Sequence, residues 1–301
     1  MIVVDKLENS LHRISAQISD RTGRNFQAKN VNSVAGGCIN RTLIIDDGAA
    51  SYFVKLNSAQ CLPMFAAETD GLRELAAANT LRVPSPMCRG KDDVYSWLVL
   101  EHLPMPGSGG NPDWKGLGRG LAMLHRHSHE LYGWHRSNTI GSTEQVNTVS
   151  ANWADFMRKH RIGFQLELAA QNGYGGRLQV RGERLLDQMG RFFREYVPEA
   201  SLLHGDLWSG NTGFLENGEP VIFDPAVYFG DRETDIAMSE LFGGFAESFY
   251  RAYQSEWPLD RGFHTRKHLY NLYHLLNHLN LFGQGYLAQC EATIDRLLGE
   301  S

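Results

Sequence analysis

Three residues with metal-binding or proton-accepting side chains, Asp206, Asn211 and Asp224, lie in one short stretch, LHGDLWSGNTGFLENGEPVIFDPA at 203–226. Carboxylate and amide oxygens, with phosphate oxygens and water, are the ligands that Mg²⁺ prefers in proteins. A further carboxylate nearby can accept the proton of an attacking hydroxyl group. Phosphoryl transfer needs this combination, so we predict that Asn211 and Asp224 bind Mg²⁺ and that Asp206 is the general base.

A predicted hairpin brings these residues together. Strand-like runs flank Asn217-Gly218, a dipeptide that favours tight turns between antiparallel strands. Asn211 and Asp224 are equally distant from the middle of that dipeptide, so they face each other at the open end if the strands pair without a bulge. Asp206 lies on the loop that leads into the hairpin. On this motif alone, ordinary polar residues beside a turn are an alternative interpretation.

The preceding part of the chain supplies candidates for binding a nucleotide. Lys55 is the single charged residue of the strand-like run SYFVKL, and Glu68 on the following predicted helix is its natural partner. Gly36-Gly37 forms a predicted turn whose backbone N–H groups can approach phosphate oxygens. A solvent-facing lysine and a plain hairpin turn are the alternatives. The order of glycine turn, lysine, glutamate, catalytic loop and metal aspartate is nevertheless that of protein kinases.

The periodicity of apolar residues predicts a small α+β lobe at 1–103, with an antiparallel sheet and an inserted helix. We predict helices at 5–22 and 63–79 and strands at 26–34, 41–47, 51–56, 86–91 and 94–101. The segment PMPGSGGNP at 104–112 predicts a linker, because proline and glycine interrupt regular structure. Glu101, His102 and Leu103 precede it, where this architecture places the hinge that binds adenine.

Residues 104–301 are predicted to form a larger, mainly helical lobe that binds the acceptor and carries the catalytic residues. Apolar residues at helical spacing mark predicted helices at 117–124, 153–168, 185–196, 232–253, 266–281 and 284–298. The expected fold is therefore α+β, with two lobes arranged as in protein kinases.

The composition excludes several other kinds of protein. Hydrophobic residues make up 42% of the 301 residues and charged residues 21%, which is typical of a folded chain. A net charge of −5 argues against a nucleic-acid-binding protein, and no apolar run is long enough to span a membrane. The N-terminus lacks a secretory signal, so we expect a cytoplasmic protein, monomeric or weakly dimeric. Its four cysteines form no metal-binding pair and are expected to be reduced.

Longer segments make these predictions more specific. They are AGGCIN at 35–40, VLEHLP at 99–104, LGRGLAMLH at 117–125, YGWHRSNTIGSTEQVN at 132–147, HGDLWSGN at 204–211, FDPA at 223–226 and GDRETDIAMSELFGGF at 230–245. Together they resemble the fructosamine kinase family, also called ketosamine-3-kinases, which is related to aminoglycoside phosphotransferases and choline kinases. The HGD motif with Trp208 and the LFGGF segment are its most specific parts.

The resemblance implies ATP and Mg²⁺ as co-substrates and transfer of the γ-phosphate to the 3-hydroxyl of a ketosamine. The acceptor would be a small-molecule ketosamine or a glycated lysine, and decomposition of the product would free the amine in protein deglycation. By the same resemblance, Asp206 is the base, Asn211 and Asp224 bind the metal, and Lys55 pairs with Glu68 at the phosphates. Asp235 resembles the helix aspartate that holds the catalytic loop from below.

Two other functions stay open at this point. One is a different small-molecule kinase of the same fold, acting on an aminoglycoside, choline or a sugar. The other is a silent nucleotide-binding protein, against which the complete set of site residues argues. Asp224-Pro225-Ala226 replaces Asp-Phe-Gly without a recognisable activation loop, which disfavours a regulated protein kinase. Cys38, inside the glycine turn, carries a separate hypothesis of redox sensitivity.

Overall fold

The computed structural model describes residues 2–34, 39–105 and 111–299, with side chains from residue 7 onward. The small lobe contains a five-stranded antiparallel sheet in the order β1-β2-β3-β5-β4. Its elements are α1 (Ile2–Thr22), β1 (Asn30–Ser33), β2 (Arg41–Asp46), β3 (Ser51–Ser58), α2 (Leu62–Ala77), β4 (Pro86–Lys91) and β5 (Tyr95–Glu101). The predicted sheet with its inserted helix is confirmed, whereas Gly36, Gly37 and Cys38 lie outside the described residues.

Strand alternation decides which helix each small-lobe side chain faces. Val54 and Leu56 of β3 pack in one apolar cluster with Ile18 of α1. Lys55 lies between them in sequence and therefore points to the opposite face of the sheet. On that face it meets Glu68 of α2. The alternating pattern of this strand thus places the lysine inside the lobe, and the solvent-facing alternative is wrong.

The large lobe is mainly helical. Its helices are α3 (Trp114–His125), α4 (Trp153–Phe156), α5 (Phe164–Gln171), α6 (Arg177–Asp187), α7 (Glu233–Leu241), α8 (Glu247–Glu256), α9 (Phe263–Phe282) and α10 (Leu287–Gly299). A π-helical segment, Met157–Gly163, joins α4 to α5. The short strands are β6 (Ser128–His129), β7 (Asn138–Ile140), β8 (Thr143–Gln145), β9 (Ala200–Leu203), β10 (Thr212–Phe214), β11 (Pro220–Ile222) and β12 (Tyr228–Gly230).

Two helix predictions are wrong in extent. The predicted helix at 232–253 is interrupted between α7 and α8, where Gly243 and Gly244 have φ angles of 96° and 73°. A positive φ of this kind favours glycine and ends a right-handed helix. The predicted helix at 185–196 also differs, because α6 ends at Asp187 and a 3₁₀ segment, Met189–Phe193, follows.

A three-stranded sheet, in the order β12-β9-β6, joins the two acidic segments of the site. β9 pairs antiparallel with β12, and Leu203 lies opposite Tyr228. The loop that leaves β9 and the segment that enters β12 consequently lie side by side. This pairing brings 204–211 next to 224–227.

The main apolar core runs through both lobes. Phe65 and Leu72 of α2 belong to the same buried cluster as Leu117 and Leu121 of α3. Within the described ranges, no helix is long and apolar enough to cross a membrane. The architecture is that of the predicted two-lobed kinase-like fold.

Candidate active site

The loop after β9 is pressed against the segment before β12. The backbone N–H of Ala226 donates to the carbonyl of His204 over 2.9 Å. Gly205 has a φ of 82°, and a Cβ at this position would lie 2.0 Å from the Ala226 carbonyl oxygen. A side chain at this position would therefore push the two segments apart. Glycine in the HGD motif allows the close approach.

The hairpin β10–β11 differs from its prediction by one residue. Thr212 pairs with Ile222, and the Leu215 N–H beyond the strands donates to the Glu219 carbonyl over 2.9 Å. This bond closes a three-residue loop, 216–218, in which Gly218 has a φ of 84°. Such a loop with glycine in the left-handed region replaces the expected two-residue turn. Asn211 consequently lies opposite Phe223, whose N–H donates to the Asn211 carbonyl over 3.0 Å.

Asp224 still joins Asn211 at the open end, one residue beyond the paired strands. Its φ is 57°, a left-handed backbone conformation that is uncommon for residues other than glycine. The carboxylate accepts a hydrogen bond from the Lys55 ammonium of the small lobe. Asp224 therefore connects the two lobes, and its side chain stays 43% exposed, accessible to a further ligand.

Asn211 is oriented by the catalytic loop. Its Nδ2 donates to the Asp206 carbonyl over 2.8 Å and to the Asp206 Oδ2 over 2.9 Å. Both amide hydrogens are thus used, and Oδ1 has no hydrogen-bond partner within the part of the chain that the structure describes. The amide oxygen of Asn211 is left available to a cation.

The donor set at the hairpin end fits Mg²⁺. One amide oxygen from Asn211 and the carboxylate of Asp224 are hard oxygen donors. Mg²⁺ typically takes one or two such protein ligands and completes its shell with substrate phosphates and water, rather than binding in an all-protein cage. Among the described residues, no group of three or more His, Cys, Asp or Glu side chains forms such a cage.

Lys55 is buried with two acidic partners. Its side chain is 3% exposed, and Nζ donates to Glu68 Oε1 over 2.5 Å as well as to Asp224. Burial alone would lower the pKa of Lys55, but the carboxylates of Asp224 and Glu68 raise it above its ordinary value. The lysine is therefore a fixed positive charge next to Asp224, the predicted metal ligand.

Asp206 lies in an environment that favours its protonated form. Burial raises the pKa of Asp206 to about 7, the hydrogen bond from Asn211 opposes that rise, and the charges of Asp224 and Asp235 add to it. A carboxylate with a pKa near neutrality is a stronger base than an ordinary aspartate and is still ionised at pH 8.

His204 holds the loop in place and has no free nitrogen for catalysis. Its Nε2 lies 3.0 Å from the Phe223 carbonyl, and its Nδ1 accepts from the Asp206 N–H over 3.3 Å. A carbonyl can only accept and an N–H can only donate, so the neutral tautomer with hydrogen on Nε2 satisfies both. Burial lowers the pKa of His204, in agreement with a neutral ring.

Asp235 supports the same loop from α7, as the resemblance implied. Its two carboxylate oxygens accept from the backbone N–H groups of His204 over 2.7 Å and of Gly205 over 2.9 Å. His125, which the motif search did not assign, lies 3.2 Å from Asp235 through Nε2. Burial alone would raise the pKa of Asp235, but the hydrogen bond with His125 and these amides hold it below its ordinary value.

The predicted hinge lies at the junction of the lobes. Glu101 forms an ion pair with Arg82, and His102 Nδ1 lies 2.8 Å from Ser51 Oγ. Leu103 follows in irregular backbone and is half-buried. The side chains of Glu101 and His102 are thus engaged within the protein, so adenine binding by the backbone of this segment stays a prediction.

Trp208 is half-buried beside the catalytic loop. Its ring lies against the Phe242 ring with centroids 6.1 Å apart, and a Cβ at Gly210 would lie 2.4 Å from the indole. The glycine therefore leaves the room that the indole occupies.

A family model and curated relatives match this chain over most of its length. A family model described as "Fructosamine kinase" matches residues 10–300. A "Probable ketoamine kinase" of Synechocystis sp. is 46% identical over 286 residues, which cover 95% of this chain and 96% of that protein. The chloroplastic protein-ribulosamine 3-kinase of Oryza sativa subsp. japonica is 42% identical over 279 residues, 92% of this chain and 81% of that protein.

The same kind of relative appears among solved structures. The crystal structure of a "Putative fructosamine-3-kinase" from Haemophilus somnus 129PT superposes with a TM-score of 0.87. It is 30% identical in sequence, and the match covers 95% of this chain and 96% of that one. The resemblance read from the motifs is confirmed over nearly the whole chain.

Proposed function

Because the chain belongs to the fructosamine kinase family, we propose that it transfers the γ-phosphate of ATP to the 3-hydroxyl of a ketosamine, with Asp206 as the base. The observation that carries this proposal is the hydrogen-bonded set Asp206–Asn211 beside Asp224–Lys55–Glu68. It contains a base, two oxygen ligands for a metal and a buried cation, all of which phosphoryl transfer uses.

Asp206 would accept the proton of the acceptor hydroxyl as the oxygen attacks phosphorus. Asn211 fixes the carboxylate through Oδ2, so Oδ1 is the oxygen that faces the acceptor. A raised pKa improves a carboxylate as a base, provided that the pH keeps it ionised. His204 cannot take over this role, because both ring nitrogens are already bonded within the protein.

Asn211 and Asp224 would hold Mg²⁺, and Lys55 would contact the phosphates of ATP. Bound Mg²⁺ neutralises negative charge that develops on the phosphates during transfer. The buried pair of Lys55 and Glu68 keeps the ammonium group fixed in position without reorganisation at the moment of reaction. Adenine would bind at the backbone of 101–103, and we place the reaction in the cytoplasm, with the protein acting as a monomer or weak dimer.

The direct test is ADP release with Mg-ATP and a small set of acceptors. The set comprises ribulose-lysine, fructose-lysine, kanamycin, choline and a reaction without acceptor. The proposal predicts turnover on at least one ketosamine, with new phosphate on the 3-oxygen by ³¹P and ¹³C NMR. Activity confined to kanamycin or choline would overturn the proposed acceptor and leave the assignment of the catalytic residues intact.

A further inference from the structure

A pair of buried amide side chains lies next to residues 224–227, here called the metal segment. The pair belongs to a part of the chain without an assigned role. The short strands β7 and β8 form a hairpin in which Asn138 lies directly opposite Gln145. Residues opposite each other in an antiparallel pair present their side chains to the same face. Both side chains are buried, with 7% and 1% exposure.

These amides hold the backbone that follows Asp224. Gln145 Nε2 donates to the Ala226 carbonyl over 2.9 Å, and Asn138 Nδ2 donates to the Val227 carbonyl over 2.8 Å. A backbone carbonyl can only accept, so the amide nitrogens must face it. Two consecutive carbonyls of the metal segment are thus bonded to side chains from another part of the lobe.

An outer layer fixes the orientation of the two amides. Tyr273 Oη donates to Gln145 Oε1 over 2.8 Å, and Asn147 Nδ2 donates to Asn138 Oδ1 over 2.9 Å. Arg161 in turn donates to Asn147 Oδ1 over 2.7 Å. Neither amide can rotate without breaking several buried hydrogen bonds, which is costly in the protein interior.

The Arg161 guanidinium stabilises this layer without a carboxylate partner among the described residues. It stacks on the ring of Tyr228 at 4.1 Å and on the ring of Phe156 at 4.5 Å, and it also donates to the Val146 carbonyl over 2.7 Å. Tyr228 belongs to β12, the strand that the metal segment enters. The network therefore holds the metal segment through two of its carbonyls and also contacts Tyr228 of the strand that follows it.

These hydrogen bonds act next to Asp224, whose backbone conformation is unusual. Asp224 has a left-handed φ of 57°, and a residue in such a conformation persists when its surroundings hold it. Ala226 is bonded through its N–H to His204 and through its carbonyl to Gln145. Displacing Ala226 would disturb the positions of both Asp224 and the catalytic loop.

We infer that Gln145 and Asn138 are positioning residues that hold Asp224 in its metal-binding conformation. The inference rests on the proposed function only in taking Asp224 and Asn211 as the metal site. The segment 132–147 thereby has a role: its amides bond to the backbone that follows Asp224 and so set the metal affinity of the site. Outer partners of metal ligands typically change metal affinity 10–100-fold when they are replaced.

The test compares Gln145→Met with Gln179→Met in the full-length protein. Gln179 of α6 is the control, because its Nε2 also donates to backbone carbonyls, those of Leu166 over 3.0 Å and Tyr174 over 2.9 Å, away from the metal segment. Mn²⁺ binding in the presence of ADP is followed by electron paramagnetic resonance. We expect a loss of affinity of about tenfold or more for Gln145→Met. We expect less than about twofold for Gln179→Met, because its bonds lie away from Ala226.

A second measurement uses the metal-free protein. Amide hydrogen exchange at 204–227 should become faster in Gln145→Met and stay at the wild-type rate in Gln179→Met, since only the first variant releases Ala226. Tyr273→Phe is a milder variant that removes one hydroxyl and leaves the shape of the core unchanged. It should shift Mn²⁺ affinity in the same direction by about threefold, which keeps the inference testable if Gln145→Met fails to fold.

Equal Mn²⁺ affinities in wild type, Gln145→Met and Tyr273→Phe would overturn the inference, and so would equal losses in the two glutamine variants. These outcomes differ from failure of the proposed function. Absence of phosphorylation on every ketosamine, together with weaker Mn²⁺ binding in Gln145→Met alone, would refute the acceptor and support the positioning role.

Discussion

The catalytic loop and the metal segment lie side by side, yet the protein holds them by opposite chemical means. The loop presents backbone N–H groups, and the buried carboxylate of Asp235 accepts two of them. The metal segment presents carbonyls, and the neutral amides of Asn138 and Gln145 donate to them. The type of each supporting side chain therefore follows from the backbone group to which it bonds. A carboxylate accepts from N–H groups, and an amide nitrogen donates to carbonyls.

The two supports should differ in energy. A hydrogen bond to a charged group contributes about 1.5–3 kcal/mol, and one between neutral groups about 0.5–1.5 kcal/mol. A buried carboxylate also needs compensation, which His125 and the two N–H groups supply to Asp235. The amides of Asn138 and Gln145 are uncharged and have no such requirement. Loss of the Asp235 carboxylate should therefore lower the free energy of unfolding more than loss of either amide. The stabilisation by Asp235 should also depend more on pH.

Among changes to the supporting residues, the largest effect is expected from Asp235→Asn. The variant replaces a double acceptor by an amide that can accept from only one loop N–H, so the other is left unpaired in the interior. We expect the free energy of unfolding to fall by about 3 kcal/mol and kcat/KM by about 100-fold. Chemical denaturation and steady-state kinetics measure the two quantities.

Asp295→Asn is the matched control for this change. Asp295 pairs with Arg177 and Arg181 at a partly exposed position on α10. Its loss should cost less than about 1 kcal/mol and leave the kinetics unchanged. If both variants lost similar stability, burial of the Asp235 carboxylate would not be the source of the difference.

An intermediate effect on the free energy of unfolding is expected from a change in pH, through His274. Burial lowers the pKa of His274 to about 3, whereas an unfolded chain protonates this histidine near pH 6.5. The unfolded state therefore binds more protons between these values, and stability present above pH 6.5 is lost as the pH falls. The slope contributed by His274 is about 1.4 kcal/mol per pH unit.

His274→Gln should flatten the fall in unfolding free energy between pH 6 and pH 4. His12→Gln, at an exposed position on α1, controls for the change of residue type. Parallel curves for wild type and His274→Gln would refute a neutral buried ring at this position.

The smallest effect is expected where the segment 132–147 meets the small lobe. Arg136 pairs with Asp70 of α2 over 2.7 Å, with about a third of each side chain exposed. Such a pair contributes at most about 1 kcal/mol, so Arg136→Gln should change the unfolding free energy and kcat only slightly. A loss of kcat above tenfold would instead make this ion pair a determinant of the position of the Glu68 helix.

The sequence permitted prediction of those parts that depend on local pattern. Lys55 and Glu68 follow from a strand that alternates and a helix directly after it, and the small-lobe strands have strong apolar periodicity. Asp206 and Asn211 share one short loop. The roles proposed for them rest on the order of motifs and require no knowledge of tertiary contacts.

Other parts depend on contacts between distant segments and could not be predicted in this way. β9 and β12 have four and three residues, too few to show a period, although their pairing aligns the two acidic segments. The one-residue shift of Asp224 depends on the loop at Gly218. No local pattern marks Asn138 and Gln145, and only their position opposite each other on a buried hairpin indicates a shared role.

The central claim is that Asp206 is the base, and Asp206→Asn tests it most directly. Asparagine keeps the shape and can still accept the hydrogen bond from Asn211, but it cannot take a proton at neutral pH. The measurement is single-turnover phosphate transfer to a ketosamine, with ADP affinity determined in parallel. We predict transfer slower by about 10²–10⁴-fold and ADP affinity within about threefold of wild type. Transfer at the wild-type rate would contradict the account.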